Sequence, residues 1–285
     1  MNTFLLQRPV DLSLLTNGFH IPVFFHTLVY SMCGEIRHGD SLSVEILIGD
    51  ETFSAKLYNI NFDQKRYSGH PDLFQIRYTP TSRFAKRLQA IFRNEYDFLL
   101  NERTIVGPRK QIHLPKEYNS NVIFYGTHVN GTFVLECNPN CNFEEIKKSF
   151  QNITEEEFEI FTPIEDKTTS IKELSHIQRI RHLDRSIGDT LKKLYGYRYQ
   201  MTGEQIGENY GITSVEAHHI IPFTESLDNE TSNIIILSPS YHRIIHQAKP
   251  LFNRKQLAYE FPNGLIEKVR LDKHLNIKDA SQRSH

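Results

Sequence analysis

The segment VEAHHIIPFTESLDNETSNIIILSPSYHRIIH, residues 215–246, decides the fold of the C-terminal half of the chain. It opens with an apolar run that contains two adjacent histidines, and a polar, turn-rich stretch follows. A β-branched run that begins at an asparagine comes next, and two histidines four residues apart end the segment. This order predicts a strand, a loop, a second strand and a helix.

The spacing of the four histidines predicts which face of its strand or helix each one occupies. Side chains alternate along a strand, so His218 and His219 in the predicted strand 213–221 point to opposite faces. They are therefore expected to serve two different tasks. His242 and His246 are four residues apart on the predicted helix and share one of its faces, which can present two imidazoles to one cation.

The loop, the second strand and the helix have recognisable boundaries. Residues 223–232 are polar and turn-rich, which predicts a loop, and the β-branched residues 233–237 predict the second strand. Ser238 is the predicted N-cap of the helix, with Pro239 in its first turn. The helix is expected to end just before Pro250, which cannot continue it.

This segment resembles the HNH endonucleases, also called ββα-metal nucleases. The resemblance is carried by the pair His218 and His219, by Asn233, and by His242 on the helix, each in the expected structural context. It implies a nuclease that hydrolyses phosphodiester bonds with one divalent ion, Mg²⁺ or Mn²⁺. The alternative is a hairpin and an amphipathic helix whose histidines are simply solvated.

The resemblance assigns the metal ligands. His218 and His242 would hold the ion, with His246 as a third ligand or as a phosphate contact. The ion would neutralise charge at the scissile phosphate and help the leaving oxygen. Glu216, on the strand face opposite Ala217, is a candidate hydrogen-bond partner for a ligand histidine.

The remaining roles also come from the resemblance. His219 would be the general base that activates water, because an imidazole titrates near neutral pH. Asn233 would hold the loop and orient this base. Arg243, next to His242 on the helix, would contact a phosphate.

Cysteines mark a departure from many relatives, which carry Cys-x-x-Cys pairs that bind a structural zinc beside the site. The matching region here, residues 195–211, contains no cysteine. Cys137 and Cys141 resemble half of a zinc site, but the only other cysteine is Cys33. No structural zinc is expected, and aromatic packing is expected to hold the region around Tyr195.

Length and charge predict two domains, a recognition domain at 1–160 and a nuclease domain at 161–285. An acidic connector is predicted at about 142–170, where eight acidic residues outnumber three lysines. The formal net charge is −1, so an enzyme that binds DNA must concentrate its positive charge locally. A secretory segment and an apolar run of membrane-spanning length are both missing, which predicts a cytoplasmic protein that does not bind a membrane.

The N-terminal region is predicted to be mostly β. SLSVEILI (41–48) alternates apolar and polar residues, and Asn130-Gly131 predicts a tight hairpin turn. Ser82 caps one predicted helix. Seven or so strands with one or two helices predict a barrel or a sandwich, and hence an α+β chain overall. The strand order and length are similar to the pseudobarrel DNA-recognition domain of restriction enzymes and plant transcription factors.

Candidate DNA contacts lie in two basic loops and on the exposed face of the predicted helix, since loops on a β scaffold often carry recognition. An ordinary solvated surface is the alternative for each of them. The candidates are Gln64, Lys65, Arg66, Tyr67, Arg83, Lys86, Arg87, Arg109 and Lys110.

The function that fits this order of domains is that of a sequence-specific endonuclease, a type II restriction enzyme that cuts double-stranded DNA. One active site cuts one strand, so a homodimer is the simplest route to a double-strand break. A cognate methyltransferase in the same restriction-modification system is the expected partner.

Three alternatives stay open. A modification-dependent enzyme would read methyl- or hydroxymethylcytosine in a pocket for a flipped base, for which Tyr67, Phe74 and Tyr78 are candidates. A DNA-binding regulator that does not cut would have lost the base or a ligand, yet both are present. A secreted nuclease toxin would need an export signal.

Overall fold

The computed structural model describes residues 2–61, 72–107, 110–115, 118–139, 171–226 and 228–276, with the backbone alone for 171–182. The protein is α+β, and its contacts divide it into two compact units, Met1–Phe143 and Glu144–His285. The predicted connector lies outside the described residues, as do Gln64, Lys65, Arg66, Tyr67, Arg109 and Cys141. Among the described residues, no helix has the length and apolar character needed to cross a membrane.

Seven strands of the first unit form one sheet. They are β1 (Thr3–Pro9), β2 (Gly18–His20), β3 (Ser41–Ile48), β4 (Glu51–Asn59), β5 (Phe74–Arg77), β6 (Asn121–Gly126) and β7 (Thr132–Asn138). Their order is β1-β6-β7-β3-β4-β5-β2, and every neighbouring pair is antiparallel except β3 and β7. Val44, Ile46 and Ile48 of β3 are buried as their alternation predicts.

Four helices are described in the first unit, where the sequence predicts one or two. They are α1 (Leu12–Thr16), α2 (His26–Cys33), α3 (Arg83–Ile91) and α4 (Arg93–Val106). Helix α3 is the predicted one, and the Ser82 hydroxyl caps it by accepting a hydrogen bond from the Ala85 N–H (3.1 Å). Helix α4 has no apolar stripe to predict it, because its only buried residues are Glu95 and Leu99.

The turn between β6 and β7 differs from the prediction. A two-residue primed turn needs positive φ at both central residues or at the first. At Asn130-Gly131 only the second residue, Gly131, has a positive φ, of 69°. The Thr127 hydroxyl donates to the Thr132 carbonyl (2.9 Å) and accepts from the Val129 N–H (3.1 Å), so a side chain braces a longer loop.

Two of the residues suggested for a flipped-base pocket belong to the core. Phe74 is fully buried, and its ring contacts those of His26 and Tyr30. The Tyr78 ring packs edge-on against Phe84, and its hydroxyl donates to the Leu14 carbonyl. Phe74 therefore cannot stack on a base, and Tyr78 is held inward by its hydrogen bond.

The second unit contains the predicted strand, strand and helix. Its elements are α5 (Ile171–Leu194), β8 (Glu216–His219), α6 (Phe223–Ser226), β9 (Ile234–Leu237), α7 (Pro239–Ala248), β10 (Leu251–Asn253), β11 (Ala258–Glu260) and β12 (Ile266–Lys268). Strands β8 and β9 form an antiparallel pair, and β10, β11 and β12 form a separate antiparallel sheet. The predicted loop contains one short helix, α6, which its polar composition does not reveal.

Helix α7 begins and ends where the sequence predicts. The Ser238 hydroxyl accepts from the Tyr241 N–H (3.2 Å), and Pro239 occupies the first helical position. At the other end, Lys249 adopts a left-handed conformation (φ 46°) and its N–H donates to Ile245 (2.8 Å). Pro250 follows, so both ends of the helix that carries His242 and His246 are fixed by local sequence.

Aromatic packing was expected to hold the region around Tyr195. Buried hydrogen bonds also stabilise this region. The Tyr195 hydroxyl lies 2.7 Å from His274 Nδ1, and Gln200 Nε2 donates to the same hydroxyl (3.1 Å). His274 Nε2 lies 2.8 Å from the Ile234 carbonyl oxygen, and Gln200 Oε1 accepts from the Ile236 N–H (2.8 Å). This network ties two distant loops to strand β9.

We predict that this network makes stability depend on pH. Burial lowers the pKa of His274 below its ordinary value of 6.5, so the folded protein keeps this ring neutral. The unfolded chain gains a proton as the pH falls through about 6.5, and the free energy of unfolding therefore decreases. Urea unfolding between about pH 8 and pH 5 should give a shallower pH slope for His274→Gln than for the wild type.

The matched control is His128→Gln, the same substitution at an exposed position of the first unit. Part of the slope should persist in His274→Gln, because burial also lowers the pKa of His20 and His26. Parallel curves for wild type and His274→Gln would contradict the assignment.

Candidate metal centre

Three histidines converge at the contact between hairpin and helix. One ring nitrogen each from His218, His242 and His246 lies within 4.8 Å of the other two. The ring centroids are 4.6 to 4.9 Å apart, and the Nε2 atoms of His242 and His246 are 2.9 Å apart. His218 is 5% exposed on β8, while the other two are half-buried on α7.

This donor set fits a divalent metal ion. Neutral imidazole is the commonest protein ligand for such ions, and three ligands leave further positions for water or a substrate oxygen. Two of the three are four residues apart on one helix, as the sequence predicts for a shared face. The third, His218, comes from β8, where it shares a strand face with Glu216.

A carboxylate orients one of the three histidines. Glu216 Oε2 lies 2.5 Å from His242 Nδ1, and a carboxylate can only accept, so the proton of this ring is on Nδ1. The lone pair is then on Nε2, the atom beside His246. The structure thus places the Glu216 carboxylate against His242, one of the three clustered histidines; that this ring binds a metal stays a prediction.

The asparagine of the motif closes the loop between β8 and β9. Asn233 is fully buried, and its Nδ2 donates to the carbonyls of Ile221 (2.9 Å) and Asp228 (3.0 Å). Its Oδ1 accepts from the Ile221 N–H (3.0 Å). This is the predicted loop-holding role.

The predicted orientation of His219 by Asn233 is replaced by other acceptors. His219 Nε2 lies 3.0 Å from Asn229 Oδ1 and 3.2 Å from Asp184 Oδ1. Asn229 comes from the same loop, and Asp184 comes from α5. Neither residue was predicted from the sequence.

A cavity of about 950 Å³ opens beside the histidines. His218, His219 and His246 line it, so both strand faces contribute to one cleft. Its other lining residues are apolar, polar, cationic or, at Glu225, anionic: Ile220, Ile221, Pro222, Thr224, Glu225, Ile245, Lys249, Pro250, Leu251, Phe252 and Arg254. The cleft therefore combines imidazoles, two cations, one carboxylate and an apolar wall.

The predicted phosphate contact, Arg243, is exposed on α7 and is not among the residues that line this cleft. It is one position beyond His242, which turns it about 100° around the helix. Lys249 and Arg254 are the cations at the cleft. The Arg254 guanidinium also donates to the Ser232 carbonyl (2.9 Å), which fixes it beside the loop.

The described DNA-contact candidates, Arg83, Lys86, Arg87 and Lys110, lie in the first unit. Arg83 and Arg87 approach Glu51 at 3.6 Å and 2.9 Å, so part of their charge is neutralised. Lys86 and Lys110 are exposed. The ion pairs with Glu51 reduce the net positive charge of the exposed α3 face, on which Lys86 remains exposed.

Packing explains how Asp184 reaches the site. A Cβ added to Gly188 would lie 2.9 Å from Ala217 Cβ, so α5 approaches β8 closely at this point. Asp184 is one helical turn from Gly188, and His219 is on the same strand face as Ala217. Two spacings in the sequence could have indicated this contact. Asp184 is four residues from Gly188 on the helix, and His219 is two residues from Ala217 on the strand.

Comparisons of the chain with family models, with curated proteins and with solved structures found no match. The geometry of the site is therefore the basis for assigning its function.

We predict that Glu216→Gln weakens metal binding about 10-fold, because Gln can present an N–H₂ group to His242 and favour the wrong tautomer. Isothermal titration calorimetry with Mn²⁺ measures this without any assay of activity. Glu208→Gln, at an exposed position of the same unit, is the control and should bind normally. Equal affinity in Glu216→Gln and the wild type would remove Glu216 from the centre.

Proposed function

We propose that the chain is a metal-dependent DNA endonuclease of the HNH type, and that it acts as a type II restriction enzyme. One observation carries the proposal: three imidazoles lie within 4.8 Å of one another on a strand–strand–helix unit, and a fourth, from His219, lines the same cleft. Three imidazoles whose ring nitrogens converge on one point form a donor set that suits a metal ion.

The proposed mechanism assigns each residue one task. His218, His242 and His246 would hold the metal ion, which when bound supplies a Lewis acid for the scissile phosphate and the leaving oxygen. His219 accepts a proton from a water molecule while the water oxygen forms a bond to phosphorus. The bond from phosphorus to the leaving oxygen then breaks, and solvent protonates that oxygen.

The side chains that line the cleft favour a nucleic acid as the substrate. Lys249 and Arg254 offer positive charge to the phosphates beside the scissile one, which supplies affinity without sequence preference. Ile221, Leu251 and Phe252 provide an apolar surface for sugar and base atoms. A small anionic substrate would not need an apolar wall in a cleft of this size.

The choice of metal follows from competing preferences. Phosphate and water oxygens favour Mg²⁺ or Mn²⁺ in the remaining positions, whereas three imidazoles favour later transition ions such as Zn²⁺. We propose Mg²⁺ or Mn²⁺ as the working ion, with Zn²⁺ as a tight-binding inhibitor.

The first unit would supply recognition. Its seven-stranded sheet with peripheral helices is compatible with the pseudobarrel DNA-binding architecture, and the exposed basic residues of α3 support a phosphate contact there. We propose that the enzyme cuts double-stranded DNA as a homodimer, since one centre per chain cuts one strand.

We predict that DNA cleavage requires a divalent ion. Nicking of supercoiled plasmid should be seen with Mn²⁺ or Mg²⁺ and should stop in excess chelator. Added Zn²⁺ should inhibit by occupying the three histidines. Undiminished cutting in chelator would rule out the one-metal mechanism.

We predict that two histidine variants fail in different ways. His219→Ala should lower the cleavage rate on the order of 100-fold or more while metal affinity stays normal, because it removes only the base. His242→Ala should weaken metal binding, so that high Mn²⁺ restores part of its rate. His128→Ala is the control. A His219→Ala enzyme with normal rate would make His218 the next candidate for the base.

A further inference from the structure

The second carboxylate–histidine pair of this unit has an unassigned role. His219 is 4% exposed and Asp184 is 22% exposed, so their contact at 3.2 Å is largely shielded from water. Asn229 Oδ1 lies 3.0 Å from the same nitrogen, Nε2. Two oxygen atoms thus face one ring nitrogen.

We propose that Asp184 is a positioning residue that keeps the proton of His219 on Nε2 and so makes Nδ1 the nitrogen that accepts a proton from water. The inference rests on the proposed function for the role of His219 as base. The tautomer itself follows from charge and distance, because a negative Asp184 oxygen 3.2 Å from Nε2 favours a proton on that nitrogen. A lone pair on Nε2 would instead lie beside that negative charge.

The amide of Asn229 does not set the tautomer alone. An amide can turn and offer its N–H₂ group, in which case it would favour a lone pair on Nε2. Asp184 has no such alternative. The carboxylate therefore decides the tautomer, and Asn229 follows it by presenting Oδ1.

Comparison of the two carboxylate–histidine pairs strengthens the inference. Glu216 contacts Nδ1 of His242, which leaves Nε2 as the donor atom toward His246. Asp184 contacts Nε2 of His219, which leaves the opposite nitrogen, Nδ1. The two carboxylates thus select opposite tautomers, one suited to a ligand and the other to a base.

Asp184 also has an electrostatic task. The His219 ring becomes positive when it accepts the proton of water, and a nearby carboxylate stabilises that charge during the reaction. The close approach of α5 at Gly188 and Ala217 fixes the distance between the two groups.

A double-mutant cycle tests the inference. The four proteins are the wild type, Asp184→Asn, His219→Ala and the double variant, each assayed by plasmid nicking at saturating Mn²⁺ and DNA. Asp184→Asn should lower the rate on the order of 100-fold, with DNA and Mn²⁺ affinities unchanged. In the His219→Ala background the same change should have no further effect.

Asp189→Asn removes a carboxylate from the same helix, one that approaches Lys192 at 3.4 Å, and it should cut at the normal rate. An equal loss in both backgrounds would show that Asp184 acts on something other than His219. A normal rate in Asp184→Asn would also overturn the proposal. Thermal unfolding checks that each variant is folded.

Nitrogen NMR of the histidine rings separates this inference from the proposed function. Long-range proton–nitrogen correlations on ¹⁵N-histidine-labelled full-length protein report which nitrogen carries the proton, and His219→Ala identifies the signal. The wild type should show His219 protonated on Nε2, and Asp184→Asn should show a mixture. A wild-type ring protonated on Nδ1 would overturn the tautomer assignment. A protein with the expected tautomer that never cuts DNA would instead refute the proposed function.

Discussion

The register of the β8–β9 hairpin is the constraint on which the site depends. Successive side chains of a strand point to opposite faces, so a slip by one residue would exchange His218 and His219. Buried hydrogen bonds prevent this slip. Asn233 closes the loop at one end, and Gln200 accepts from and donates to the backbone of Ile236 in the second strand. The hairpin has only four residues in each strand, too few to fix its register unaided.

Given that register, carboxylates on two different elements contact two of the four histidines, His242 and His219. Glu216 comes from the hairpin itself, and Asp184 comes from the long helix that packs on it. The chain has a net charge of −1, so its positive charge must be concentrated where a polyanion would bind. Lys249 and Arg254 meet this requirement at the cleft. In the proposed enzyme, the groups that would orient the metal ligands are thus separate from the groups that would attract the substrate.

The sequence predicted the features of the site that depend on local geometry. The faces of the four histidines, the Ser238 cap and the helix end at Pro250 follow from residue spacing alone. Asp184 was missed because its contact with His219 depends on how α5 packs against β8. Arg243 was predicted as a phosphate contact from its position beside His242, but the cleft-lining cations are Lys249 and Arg254.

In the first unit, alternation predicted β3 correctly, while α4 escaped prediction because it buries one leucine and one glutamate. The turn at Gly131 was mispredicted because a threonine side chain stabilises a longer loop than the Asn-Gly pair suggests. The buried network around His274 joins residues far apart in sequence. Long-range polar contacts of this kind leave no periodic pattern in a single chain.

Digestion of genomic DNA, followed by sequencing of the ends, tests most directly whether the histidine cluster forms a DNA-cutting centre. Modified and unmodified DNA would be incubated with the full-length protein and Mn²⁺, beside a protein that lacks the His219 ring. The wild-type protein should give ends at one fixed sequence, and the protein without that ring should give none. Intact DNA in every reaction, although calorimetry shows Mn²⁺ bound, would contradict this role of the cluster.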